Sequence, residues 1–131
     1  MDKKIGDAKK AADYARNNAN TKSVGECAKY VANALIQAGF SFKRQSSAYM
    51  YHTNGVLVNI GFSKISKGNP QKGDIYVEDK TNTHPHGHIA IYDGSNWISD
   101  FIQKTDHVHS TDPGTNYYYR KTSNKEDEKY S

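Results

Sequence analysis

The sequence predicts an α+β domain in which N-terminal helices pack on an antiparallel β-sheet. Two observations predict it. Apolar residues recur at helical spacing before position 40, and short β-type runs bounded by turn residues occupy the rest, with no helix–strand alternation and no internal repeat. At 131 residues and 14.7 kDa the chain fits one compact domain, 1–120, followed by a charged, nearly apolar-free tail, 121–131, for which disorder is the default. A domain of this size buries roughly two-thirds of the surface its unfolded chain exposes, so it needs no staples. None are available, since Cys27 is the single cysteine.

The first helix is read from Ile5, Ala8, Ala12, Ala15 and Ala19, an apolar stripe with small residues that allow close packing. Ser23-Val24-Gly25-Glu26 has the form of a capping box, placing Ser23 as N-cap of a second helix whose Cys27, Tyr30, Val31, Ala34, Leu35 and Ala38 share a face. Phe40 to Asn54 shows no clear period, and Ser47 to His52 is left open between a short helix and a loop. Val56 to Ile60 after Asn54-Gly55 reads as a strand, as do Ile75 to Val77 and Tyr117 to Arg120. His88 to Tyr92 and Trp97 to Phe101, joined around Asp93-Gly94-Ser95-Asn96, make the strongest hairpin signal.

The chemistry in this pattern centres on Cys27. A thiol in the first turn of a helix lies near unsatisfied N–H groups and the positive dipole end, which favour thiolate. A lone cysteine is more often a buried structural residue, so the reading needs a base. His88 opens a strand directly after Gly87, whose missing side chain leaves the ring approachable. The imidazole in turn needs a third group to fix its tautomer, and Asp100 is the candidate. A three-residue hairpin loop pairs Tyr92 with Asn96 and sets His88 opposite Asp100, a five-residue loop keeps them diagonal on one face, and an even loop separates them. In the odd registers Ala90, Tyr92 and Ile98 share their face, and the small Ala90 admits the Cys27 helix.

Gly25-Glu26-Cys27-Ala28-Lys29-Tyr30-Val31-Ala32-Asn33-Ala34-Leu35, Pro70 through Val77, Gly87-His88-Ile89-Ala90-Ile91-Tyr92-Asp93-Gly94 and Trp97-Ile98-Ser99-Asp100-Phe101 resemble, in order and spacing, the NlpC/P60 and CHAP superfamily of papain-like cysteine peptidases and amidases. The resemblance spans about residues 23 to 120. It implies the papain-like fold, Cys27 as nucleophile, His88 as base and Asp100 as the group that orients the imidazole, with no cofactor. A small catalytic domain without a signal peptide further resembles the peptidoglycan amidase effectors of type VI secretion. That implies cleavage of an amide in the peptide stem, commonly between D-glutamate and meso-diaminopimelate, action in a rival's periplasm as a monomer, and a cognate immunity protein that plugs the cleft. Phage lysis enzymes and wall-remodelling hydrolases use the same chemistry.

Other classes fit less well. His84-Pro85-His86-Gly87-His88 offers three imidazoles to zinc or nickel, but Pro85 and Gly87 break the strand that would align them. The net charge of +4 favours anionic partners, yet basic and acidic residues interleave, as at Lys121 to Lys129, without the basic strip that nucleic acid requires. No run of 18 apolar residues is present, so membrane insertion is not expected. Tyr49, Tyr51, Trp97 and Tyr117 to Tyr119 are candidates to line a substrate groove, or simply to pack.

Overall fold

The computed structural model describes residues 6–122. Ile5, where the first helix was expected to begin, and the tail from 123 onward lie outside them. Helix α1 (Ala8–Asn18) starts at Asp7, whose carboxylate accepts the backbone N–H groups of Lys9 and Lys10 at 3.0 and 3.2 Å. Its buried stripe is Ala8, Ala11, Ala12 and Ala15, which lets it lie close against α2 (Cys27–Gln37) and that helix's buried Val31, Ala32, Ala34 and Leu35.

Helix α2 begins three residues later than a Ser23 cap would place it. Glu26 is its N-cap, with no side-chain hydrogen bond of its own, because Gly25 at φ +74° turns the chain out of helical geometry. The Ser23 hydroxyl instead faces Asp100 at 3.3 Å. Two short helices follow, α3 (Met50–Thr53) and α4 (Val56–Asn59). The expected strand at Val56 to Ile60 is therefore a helical turn. Its burial explains why: adjacent Val56 and Leu57 are buried while Val58 is exposed, a grouping that a strand's alternation cannot produce.

Six strands complete the described residues: β1 (Phe62–Ile65), β2 (Ile75–Glu78), β3 (His88–Tyr92), β4 (Trp97–Ile98), β5 (Ile102–Gln103) and β6 (Asn116–Lys121). They form one antiparallel sheet in the order β1-β6-β2-β3-β4-β5. Lys121, expected in the tail, closes β6 opposite Phe62. A bidentate pair from Arg120 to buried Asp74, at 2.9 and 2.8 Å, ties β6 to the start of β2.

Strand alternation divides the sheet into two faces. Ile75, Val77, Ile89, Ile91, Ile98 and Tyr119 belong to the helix-covered core, whereas Tyr76, Ala90, Trp97 and Tyr118 form a separate aromatic cluster on the other side. Tyr92 pairs with Trp97 and Ile91 with Ile98, so the hairpin connection is even in length. Asp93 sets that length by accepting the N–H groups of Ser95 and Asn96 at 2.7 and 2.6 Å. Trp97 thus joins the face of His88 and Ala90, Ile98 joins that of Ile89, and Ala90 does not face α2. Both odd registers are overturned.

Candidate active site

The single thiol is placed by backbone clamping. After α1 the chain runs beside the turn between β4 and β5: Asn20 N–H donates to the Asp100 carbonyl at 2.9 Å, and Ile102 N–H returns to the Asn20 carbonyl at 3.2 Å. The Asp100 carboxylate, fully buried, then accepts Val24 N–H at 2.6 Å and Glu26 N–H at 3.2 Å. These bonds fix the approach to α2 and make Cys27 its first helical residue. Burial would raise the Asp100 pKa, but the Val24 and Glu26 N–H groups outweigh it and hold the carboxyl below the usual range.

Asp100 therefore does not hydrogen-bond His88. The even hairpin puts the two on different faces, and the Ser99-Asp100-Phe101 turn carries the carboxylate toward residues 23–26. The same turn returns the chain as β5, with Gln103 opposite Trp97 and on the face of His88. His88 Nε2 meets Gln103 Oε1 at 2.7 Å. The Gln103 amide nitrogen donates to the Thr105 carbonyl at 2.9 Å and to the Tyr76 hydroxyl at 3.0 Å. A carbonyl only accepts, so the Gln103 NH₂ must lie on the Thr105 side and its oxygen on the His88 side. The network then assigns the histidine proton to Nε2 and leaves the Nδ1 lone pair as the basic site.

His88 is 6% exposed, and burial lowers its pKa, with the Gln103 bond and the fields of Asp100 and Glu78 acting the other way and His109 adding to the lowering. The Cys27 thiol is pushed up to about 11, first by burial and further by Asp100, against the backbone N–H groups of Ile89, Ala28 and Cys27 itself. The sulfur thus sits beside the amide that follows His88 in β3, and both residues lie in the field of one carboxylate. Gly87 serves the backbone here. At φ +65° a Cβ would stand 2.2 Å from the Glu78 carbonyl, so only glycine lets the loop close against β2 just before His88.

A cleft of about 460 Å³ opens over Cys27, lined also by Arg44, Ser47, Tyr51 and His86. His86 Nδ1 meets the Ser47 hydroxyl at 2.7 Å and its carbonyl accepts Tyr49 N–H at 3.1 Å, which builds the wall facing the helix end. Of the three imidazoles of the 84–88 run, His84 and His88 both meet the ring of His109, at 3.6 and 5.8 Å between centroids, and His86 does not join them. His84 stacks on His109 with centroids 3.6 Å apart, while His86 and His88 bond to Ser47 and Gln103. Among the described residues no group of three His, Cys, Asp or Glu side chains is arranged to hold a metal ion. No described helix is long and apolar enough to cross a membrane. Of the aromatic candidates, Tyr51 is buried in the helix-side cluster and also borders the cleft, and Trp97, Tyr118 and Tyr119 are buried in the two packing clusters.

Gln103 and His86 are the residues that sequence reasoning missed in this role. The signal for Gln103 was present in Ser99-Asp100, a turn-forming pair that ends β4 after Ile98 and sends a further strand back.

The family model described as the CHAP domain matches residues 16–100. The chain is similar to the crystal structure of the type VI native effector-immunity complex Tae3-Tai3 from Ralstonia pickettii, with 41% identity and a TM-score of 0.76 over 88% of this chain and 98% of that one. It is likewise similar to the selenomethionine form of that complex, with 39% identity and a TM-score of 0.72 over 85% and 99% of the two chains. No curated protein matches it. A helix-borne thiol, an imidazole on the neighbouring strand and a match over most of the domain converge on one assignment: the chain belongs to the CHAP domain family, as a papain-like cysteine peptidase or amidase that hydrolyses peptidoglycan.

Proposed function

We propose that this chain is an antibacterial type VI effector that cuts an amide in the peptidoglycan stem peptide, between D-glutamate and meso-diaminopimelate, with Cys27 as nucleophile and His88 as base. It acts in the target cell's periplasm, and a cognate immunity protein blocks the cleft. The observation that carries the chemistry is the Gln103 bond, which leaves Nδ1 of His88 as the proton acceptor on the strand that meets the sulfur. The effector reading is supported by the similarity to Tae3, crystallised with Tai3.

In the first half-reaction His88 Nδ1 takes the Cys27 proton as the sulfur attacks the stem carbonyl. The oxyanion forms near the N–H groups of the first turn of α2, and the imidazolium gives its proton to the departing amine as the C–N bond breaks. Water, deprotonated by the same imidazole, then attacks the thioester; the carboxylate product leaves and the thiol is restored. Mass spectrometry of sacculi digested by the wild type and by Cys27→Ala tests the whole reading. New products ending in a D-glutamate γ-carboxyl, absent with the variant, are expected. Products of another mass would overturn the bond, and an undigested sacculus would overturn the activity.

Gln103 acts on this scheme by positioning. Gln103→Leu is expected to lower kcat about 10- to 100-fold by freeing the ring to adopt the wrong tautomer. The bond to Gln103 raises the His88 pKa, so its loss moves the acidic limb of the pH–rate profile to lower pH. A purely structural role would reduce activity and leave that limb in place.

A further inference from the structure

Glu78 is a buried carboxylate that the reaction scheme does not use. It is the register partner of His88 across β2 and β3, so the two face the same side of the sheet. One oxygen, Oε2, accepts Gly114 N–H at 2.8 Å. The other, Oε1, lies 2.8 Å from His109 Nδ1, an ion-pair distance without the alignment of a hydrogen bond. His109 belongs to the segment between β5 and β6, which is stapled over the end of β2. Thr81 Oγ1 donates to the Asp112 carbonyl at 3.1 Å, Thr83 Oγ1 to the Asp112 carboxylate at 2.7 Å, and Asp79 N–H to the Thr115 carbonyl at 2.9 Å. Asp112 is the one described non-glycine residue in the left-handed region, at φ +51°, and these bonds hold it there. His84 Nε2 donates to the Thr111 carbonyl at 2.9 Å, and its ring lies flat on that of His109 with centroids 3.6 Å apart. His109 in turn meets the His88 ring edge to face at 5.8 Å.

The Gln103 bond fixes the tautomer of His88, but one bond leaves the plane of the ring to its neighbours. We infer that His109, seated by Glu78 and backed by His84, is a positioning residue that holds the plane of the His88 ring for proton exchange with Cys27. The inference rests on His88 as the base, proposed above, and holds whichever amide is cut. The same contact carries an electrostatic role. His109 is faced by Glu78 from β2, His84 from the loop before β3 and His88 from β3, while on its own segment Asp106 and His107 pair with each other at 3.2 Å. His88 is faced by Tyr76 and Glu78 from β2 and by His109, and lies in the field of Asp100 from the β4–β5 turn. A protonated His109 sets a positive charge against the Glu78 carboxylate and beside the base. That charge opposes protonation of His88, and Glu78 acts the other way.

His109→Phe keeps a ring and removes the charge, whereas His109→Ala removes both. NMR titration of the His88 imidazole, in Cys27→Ala protein with and without His109→Phe, is expected to move to higher pH when the charge is lost. With Cys27 intact, the acidic limb of sacculus hydrolysis by His109→Phe should move the same way. His109→Ala should also lower the plateau rate about 10-fold, and phenylalanine should restore most of that loss. Glu78→Gln should slow the reaction through the same ring, so the double variant Glu78→Gln/His109→Ala should be no slower than His109→Ala alone. An unmoved His88 titration in His109→Phe, equal plateau rates in the phenylalanine and alanine variants, or additive losses in the double variant overturns the inference. A titration that moves while the acidic limb stays in place overturns His88 as the base instead, and the positioning role falls with it.

Discussion

Cys27→Ala is expected to reduce sacculus hydrolysis by about 10⁴-fold or more while leaving the fold in place, because alanine keeps the first turn of α2 and loses only the sulfur. The protonation states make His88→Ala nearly as severe. With its pKa pushed up to about 11, the thiol by itself ionises to only about one part in ten thousand at pH 7, and His88, lowered below its ordinary value, is neutral there too. The resting pair is uncharged, and thiolate arises only as the proton passes to the ring during attack. Two measurements check this. Iodoacetamide should alkylate Cys27 slowly at pH 7 and faster as pH rises toward 11, and the residual activity of His88→Ala should climb over the same range. Rapid, pH-independent alkylation at neutral pH would show a preformed ion pair and refute the scheme.

Asp100→Ala is expected to cost about 2–3 kcal/mol, since it removes the acceptor of the Val24 and Glu26 N–H groups and of the Ser23 hydroxyl. For a domain of this size the thermal midpoint should fall about 5–10 °C, read by circular dichroism. Activity should fall with it, because the same bonds hold the approach to Cys27. The sign of the pH effect follows from the depressed carboxyl. Its stabilisation is present above the unfolded value of 3.8 and is lost as pH falls through the lower folded value, so wild type and Asp100→Ala should converge in strong acid. Asp100→Asn isolates the charge. Asp100 raises both the Cys27 and the His88 pKa, so the asparagine variant should alkylate at lower pH than wild type and shift its acidic activity limb downward. An asparagine variant with unchanged profiles would remove Asp100 from the electrostatics of the pair.

What was legible in the sequence was the part fixed by local chemistry. The spacing of Ala8, Ala12 and Ala15 and of Val31, Ala34 and Leu35 specifies two helices, and the Asp93-to-Asn96 turn specifies the hairpin, so Cys27 and His88 could be placed on their elements. The third partner was not, because it depended on a count. One residue of loop length inverts every side chain beyond it, and the even connection exchanged Asp100 for Gln103. Val56 to Ile60 failed for a different reason. Five apolar-rich residues are too few to display a period, and Gly55 in the left-handed region starts a helical turn that composition does not distinguish from a strand.

The sheet's two separate packing clusters have a consequence for how such a domain can change over generations. The sulfur rides on an element seated in the aliphatic layer, while the imidazole at the start of β3 and its amide neighbour pack against Tyr76 of the aromatic cluster. Drift in the volumes beneath α2 is thereby insulated from the ring's tautomeric lock, and exchange among the aromatic residues is insulated from the helix end. Packing under α2 and packing around the ring can thus vary separately, with β3 lying between the two layers and the Asp100 field common to both residues.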